Sequence, residues 1–270
     1  MAPKRREMHF GVFVLGTGNH SAGWRYDGAA TSNNDLAVIQ EIARQAERGK
    51  FDLLFVSDGL VMDPGDHPSF LCRFEPTTLI SALSASTRHI GLGATVSTSF
   101  GEPYHVARAF GSIDHITRGR AAWNVVTSSA GKAALNFSRE AHMEHDLRYE
   151  VAQEFVDVVK GLWDCWQDGA IVADKASGVY LDPSKVRPLD HRGRFFQVKG
   201  PINMSRCPRG IRSSFKPAAR RRGSSSPRGR PTSCSPSCRS CRPRSEPIAI
   251  RRRAWPSTAV RPIRSRSCRA

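Results

Sequence analysis

Apolar residues in this chain come in short runs separated by stretches of helical spacing. Met8 to Leu15 (MHFGVFVL) is one such run; it ends in Gly16-Thr17-Gly18 and reads as a buried strand followed by a loop. Asn34 is placed to cap a helix reaching Arg48, with Leu36, Ile39, Ile42, Ala43 and Ala46 at helical spacing and Gly49 to stop it. Phe51 to Ser57 (FDLLFVS) is a second strand, closed by Asp58-Gly59. Then follow a helix over Pro76 to Thr87, a strand over His89 to Thr98, a helix over Glu102 to Thr117 and a strand over Ala121 to Ser128. A long helix is expected from Arg139 to about Trp166, with Leu147, Val151, Phe155, Val158, Val159 and Leu162 along one side.

The resulting order is β-α-β-α-β-α-β-α. Strands that are apolar throughout, rather than alternating, indicate a sheet covered on both faces. That is a parallel α/β fold, either a doubly wound sheet or a (β/α)8 barrel. Both architectures place their sites at the C-terminal ends of strands, where this chain carries His20, Asp58, Ser97 to Ser99, Asn124 and Thr127. From Asp168 to Gly200 the pattern becomes irregular, with Val179-Tyr180-Leu181 and Phe195 to Val198 as short strands of an insertion beside the main body.

Charge changes the picture only when it is divided. The whole chain carries a formal +17, which points to a nucleic-acid or membrane-surface binder. Yet 19 of the 41 bases and one of the 24 acids lie in residues 201–270, leaving 22 bases and 23 acids in the first 200 residues. The body is close to neutral, and the excess belongs to the end. Five of the seven cysteines also lie there, and the two before it, Cys72 and Cys165, make no disulfide framework. A reducing, cytoplasmic setting is therefore expected. The basic start is not followed by a signal-peptide core, and no apolar stretch of about 18 residues is long enough for a membrane span.

Several polar residues invite chemistry, and each also has a plainer reading. Asp58 closes a strand, as a turn aspartate would. Thr95 sits in a strand, where β-branched residues belong anyway. His145 and Tyr149 lie four apart on a predicted helix and share a face, either as a ligand-holding pair or as solvent-facing neighbours of a Glu144–Arg148 ion pair. Asn124 lies in a buried strand, so its amide must find backbone or a ligand. His20 follows the first strand, and Tyr104 and His105 begin a helix; either histidine could serve a reaction or simply sit at an element boundary. Gly16-Thr17-Gly18 lacks the third glycine of a dinucleotide fingerprint. The body shows no metal-ligand spacing.

Seven segments in order carry a resemblance. They are Asp58-Gly59; Ala94 to Thr98; Glu102 to Arg108 (EPYHVAR); Trp123 to Ser128 (WNVVTS); Glu144 to Glu150 (EHDLRYE); Asp174 to Tyr180 (DKASGVY); and His191 to Phe196 (HRGRFF). Together, from about Met8 to Pro208, they resemble the nitrilotriacetate monooxygenase branch of the luciferase-like flavin monooxygenases. Relatives in that branch act on aminopolycarboxylates, dibenzothiophene sulfone or long-chain alkanes. The resemblance implies a TIM barrel that takes reduced FMN from a separate NAD(P)H:flavin reductase. Dioxygen then adds to the flavin to give a C4a-peroxide that oxygenates a small organic substrate, the protein supplying placement and exclusion of water. It implies FMN contacts at Asp58, Thr95, His145 and Tyr149; by their positions the buried Asn124 amide is also expected to reach the cofactor, and the Ser97, Thr98 and Ser99 hydroxyls suit the isoalloxazine. From its place after the first strand, His20 is a candidate for a substrate-side or peroxide-stabilising hydrogen bond, and His105, at a helix start, is a candidate to line the pocket. Relatives usually pair, so a homodimer is the expected assembly.

The resemblance stops at Pro208, and the chain divides there into an α/β body, 1–208, and an Arg/Ser/Pro/Cys-rich tail, 209–270, expected to be disordered or out of frame. The tail's Cys234-x3-Cys238-x2-Cys241 lacks a fourth zinc ligand at workable spacing. One permitted set of codons for Arg209 to Ala218, read from the third base of the Arg209 codon, spells Gly-His-Pro-Val-Ile-Phe-Gln-Ala-Gly. That resembles the strand such enzymes carry next, whose following loop helps to hold the FMN phosphate. A shifted frame near Pro208 is thus expected, with only four or five barrel strands present and the barrel incomplete. The rival readings are an inactive truncated product and a binding protein with a basic nucleic-acid arm. The second of these requires steep salt dependence, and no nucleic-acid role is expected of the body.

Overall fold

In a computed structural model of the chain, the apolar runs become parallel strands laid side by side in chain order. The structure describes residues 8–208 and the backbone of 214–215. The strands are β1 (Gly11–Phe13), β2 (Leu53–Val56), β3 (Gly91–Ser97) and β4 (Ala121–Val126), joined through helices α1 (Leu36–Arg48), α2 (Pro68–Leu71), α3 (Pro76–Leu83) and α4 (Pro103–Ile116). After β4 the chain enters α5 (His145–Trp163), a small antiparallel pair β5 (His191–Arg192) and β6 (Gln197–Val198), and finally β7 (Ser214–Phe215), which pairs with β4.

The sheet order is β1-β2-β3-β4-β7, with Gly11 beside Leu53, Leu53 beside Gly91, Leu92 beside Ala121 and Trp123 beside Ser214. This strictly sequential winding has no point where the order reverses. It therefore removes the doubly wound alternative and leaves the barrel. Within the tail only the backbone of Ser214–Phe215 is described, as β7 beside β4; its cysteines Cys234, Cys238, Cys241 and Cys268 lie outside the described residues. Within them, no helix is long and apolar enough to cross a membrane.

Burial explains most boundaries. Residues of β3 and β4 are almost all buried, as covered parallel strands require. β1 is different: it is shorter than the apolar run around it and largely exposed, because it has a neighbour on one side only. The core lies between the sheet and α1, α3, α4 and α5, with Trp123, Phe110, Phe155, Leu54 and Ile80 fully buried.

The cap of α1 is Asp35, whose carboxylate accepts from the Ala37 and Val38 amides, rather than Asn34. The neighbouring Asn33 is instead buried and accepts from the Thr17 amide. Gly16 faces this loop; a Cβ there would lie 2.7 Å from the Asn33 Cα, so its glycine serves close packing. The helix expected from Arg139 begins only at His145. Ser138 adopts a left-handed conformation (φ 56°), and the His142 ring bonds the Ser128 carbonyl, which holds the intervening residues across the strand ends. In the insertion, Val179 to Leu181 forms no strand; Leu181 makes a single bridge to Ile171.

Glu47 ties α1 to the entrance of β3. Its carboxylate accepts from the amides of Arg88 (2.9 Å), His89 (2.5 Å) and Ile90 (2.9 Å). Burial alone would raise its pKa, but the amides of Ile90, His89 and Arg88 together outweigh burial and hold it below the ordinary carboxylate range. Glu47→Ala is expected to cost about 2–3 kcal/mol in urea unfolding, since three amides lose a charged acceptor. A group with a lowered folded-state pKa contributes fully above its unfolded value, about 4.3, and loses that contribution as pH falls through the folded value. The stability difference between parent and variant should therefore shrink on acidification below that range.

Candidate active site

A cavity of about 550 Å³ opens at the C-terminal ends of β2, β3 and β4. That size falls within the range of cofactor and small-molecule sites. Asp58 and Gly59 border it from the end of β2, Thr95 and Ser97 from β3, and Val126 and Ser128 from the end of β4. Tyr149 and Ala152 of α5 close one side.

Thr95 and Asn124 form its polar floor. They stand at the same level on adjacent strands, and the Asn124 Nδ2 donates to Thr95 Oγ1 at 2.9 Å. Thr95 Oγ1 in turn donates to the Val56 carbonyl at 2.9 Å. Both residues are 3% exposed. Thr95 reaches the cavity, whereas Asn124 stands behind it, its Oδ1 buried and without a partner among the described residues. Asn124 thus orients Thr95 rather than bordering the cavity itself.

The expected row of hydroxyls divides the same way. Thr98 donates to the Val126 carbonyl and Ser99 to the Thr127 carbonyl, so both are spent in joining β3 to β4. Ser97 stays at the cavity and accepts from the Ser128 hydroxyl.

Asp58 accepts from the Gly59 amide at 2.8 Å. Burial pushes its pKa up, opposed by that amide and by the Arg73 guanidinium. Arg73 is held nearby, donating to Ser57 and to the Phe70 carbonyl.

On α5 the His145 and Tyr149 rings lie 4.9 Å apart, one turn from each other as their spacing predicts. His145 is exposed and bonded to Asp146 at 2.7 Å. It borders a second, shallower cleft of about 960 Å³ that Tyr149 shares with the main cavity. The expected Glu144–Arg148 ion pair does not form. Arg148 turns inward to the Ser128 carbonyl and the His142 ring instead, because that carbonyl ends β4 and lies within reach of the helix start. Sequence reasoning missed His142 and Arg148, whose Nδ1 and Nε are buried without partners among the described residues.

The two histidines expected to serve the reaction lie elsewhere. His20 is exposed, its Nδ1 accepting from the Ala22 amide within its own turn. His105 is exposed on α4, on the side away from the buried Val106, Ala107 and Phe110. Neither borders either cavity. Among the described residues, no group of three or more His, Cys, Asp or Glu side chains is placed to hold a metal ion.

The sequence profile described as luciferase-like monooxygenase matches residues 8–217. N-acetyl-S-(2-succino)cysteine monooxygenase of Bacillus subtilis (strain 168) is 50% identical over 211 residues, 78% of this chain and 48% of that protein. Nitrilotriacetate monooxygenase component A of Aminobacter aminovorans is 42% identical, covering 76% of this chain and 48% of its own length. Among solved structures, riboflavin lyase with modified FMN and riboflavin superposes with a TM-score of 0.71 at 32% identity, over 78% of this chain and 50% of that one. The chain spans about half the length of the relatives it matches.

Proposed function

The chain belongs to the luciferase-like monooxygenase family, and on that premise we propose that its cavity holds the isoalloxazine of reduced FMN in a two-component monooxygenase reaction. The observation that carries this reading is the floor of the cavity. Thr95 Oγ1, held by Val56 and Asn124, and the Asp58 carboxylate bring hydrogen-bond acceptors to the cavity wall, and an apolar substrate alone would leave them without donors. Asp58 and Thr95 would face the ring system, Tyr149 would cover it, and His145 would approach the phosphate-bearing chain along the shallower cleft. Asn124 would act through Thr95. His20 and His105, sited away from both cavities, are assigned no contact with the flavin.

When bound, reduced FMN supplies the two electrons that activate dioxygen, one oxygen atom passing to the substrate and the other to water. The chain's own part is to orient the ring through Asp58 and Thr95 and to keep water out with Val126, Ala133 and Ala152, which line the cavity's apolar side. The electrons would come from a separate NAD(P)H:flavin reductase, a reading supported by the likeness to a protein named component A. The substrate is a small organic molecule, of aminopolycarboxylate, sulfone or alkane type. A cytoplasmic homodimer is the assembly proposed. The change of frame near Pro208 stays part of the reading, with 1–208 as the flavin-binding body.

Titrating the full chain with reduced FMN under anaerobic conditions, followed by fluorescence or calorimetry, tests the proposal. Saturable binding is expected, and Tyr149→Ala should weaken it about ten-fold by removing the aromatic cover. Absence of flavin binding, together with salt-sensitive DNA binding, would support a basic-armed binding protein instead.

A further inference from the structure

We propose that Thr95, fixed as a hydrogen-bond acceptor by Val56 and Asn124, is the residue through which this site distinguishes reduced from oxidised flavin. The inference rests on the FMN reading above and assigns it a cause in this chain's own residues.

A threonine hydroxyl has one proton and two lone pairs. Here the proton goes to the Val56 carbonyl at 2.9 Å, and one lone pair accepts from Asn124 Nδ2 at 2.9 Å. What Thr95 can still offer the cavity is one lone pair. The neighbouring strand end offers the same polarity, because the Asp58 carboxylate accepts from the Gly59 amide and has further lone pairs on the cavity side of β2. Two adjacent strand ends therefore present two acceptors.

An oxidised isoalloxazine carries one ring N–H, at N3. Two-electron reduction adds a second, at N5. One donor satisfies one acceptor and leaves the other facing an unprotonated nitrogen or a carbonyl in a desolvated site, which is unfavourable. Two donors satisfy both. The acceptors of Asp58 and Thr95 thus favour the ring that carries two N–H donors.

The polarity is set by Asn124 and not by Thr95 alone. In the opposite arrangement the Asn124 amide would be reversed, Thr95 would donate to its oxygen, and the Val56 carbonyl would lose its proton donor. The observed arrangement pairs the Thr95 proton with the Val56 carbonyl and leaves Asn124 Oδ1, behind the cavity, without a partner among the described residues.

The test is anaerobic equilibrium binding of oxidised FMN and of dithionite-reduced FMN to the full chain, with the midpoint potential of the bound flavin as a second readout. Reduced FMN should bind about ten-fold or more tightly than oxidised FMN, since one unsatisfied buried acceptor separates the two states. The bound potential should then lie about 30 mV or more above that of free FMN. Thr95→Val, which keeps the shape and removes the lone pair, should lower reduced-FMN affinity about ten-fold and leave oxidised-FMN affinity nearly unchanged. Thr95→Ser, which keeps the hydroxyl, should retain most of the preference. Circular dichroism melting identifies a variant that has simply unfolded, and the serine variant then carries the test. Equal affinity for the two forms, or a valine variant that weakens both alike, overturns the inference and leaves the flavin site standing. Failure to bind either form overturns both.

Discussion

Phe155→Ala is expected to lower the free energy of unfolding by about 3–5 kcal/mol, measured by urea titration, and to abolish flavin binding in the same preparation. Phe155 is fully buried at the centre of α5. Its ring lies 6.0 Å from Trp123 of β4 and meets Phe196 edge-on at 5.5 Å. It therefore packs α5 against the sheet on one side and the insertion against α5 on the other. A domain with a net stability of about 5–15 kcal/mol loses a large share of it to such a cavity. The functional loss follows from position. Ala152 and Tyr149, about one and two turns before Phe155, form one side of the flavin cavity, so a loosened α5 removes that wall. Phe155→Leu fills most of the volume, and it should recover most of the stability and measurable FMN binding. A Phe155→Ala variant that keeps parental stability would show that α5 is held mainly by other contacts.

The sheet was legible in the sequence because covered parallel strands leave a strong signature: apolar runs of strand length broken by helical spacing. Its winding was legible only through the family resemblance: both a barrel and a doubly wound sheet fit the same apolar runs, and the spatial order β1-β2-β3-β4-β7 separates them. The site was legible as a set of strand ends but not as a set of roles. Asn124 was visible as a buried amide in need of a partner, but that partner is Thr95, 29 residues earlier, brought opposite by the β3–β4 register. Thr98 and Ser99 look like ligands for the same reason that Thr95 does, yet their carbonyl partners belong to the next strand. His20 and His105 carry versatile side chains beside strand ends, but which way a loop or a helix turns its residues depends on packing across the fold. His142 and Arg148 escaped notice because their common partner, the Ser128 carbonyl, is a backbone group that no side-chain pattern encodes.

Arg120→Ala should destabilise the chain by about 3–4 kcal/mol while leaving flavin affinity within about three-fold of the parent, measured well below the melting temperature. Arg120 immediately precedes β4, at the rim opposite the cavity. Its Nε donates to the Thr117 carbonyl at 2.9 Å, Nη1 to Thr87 Oγ1 and the Ile90 carbonyl at 2.9 Å each, and Nη2 to the carbonyls of Thr87 (3.2 Å) and Ser84 (3.4 Å). The last of these ends α3, so one guanidinium supplies the donors that the helix end lacks and clips it to the entrances of β3 and β4. Burial lowers the Arg120 pKa and the Glu47 carboxylate opposes it; a guanidinium stays charged under both influences. Arg120→Lys keeps the charge but not the planar fork, and it should recover only part of the loss. The two large effects therefore separate. A cavity under Phe155 removes stability and site together, because α5 is a wall of the site. The loss of Arg120 removes stability alone, because in a barrel the rim before the strands maintains the sheet and the rim after them carries the chemistry. Weakened flavin binding in a folded Arg120 variant would show that this division fails here and that strain at the entrance of β4 reaches Asn124, four residues along the same strand.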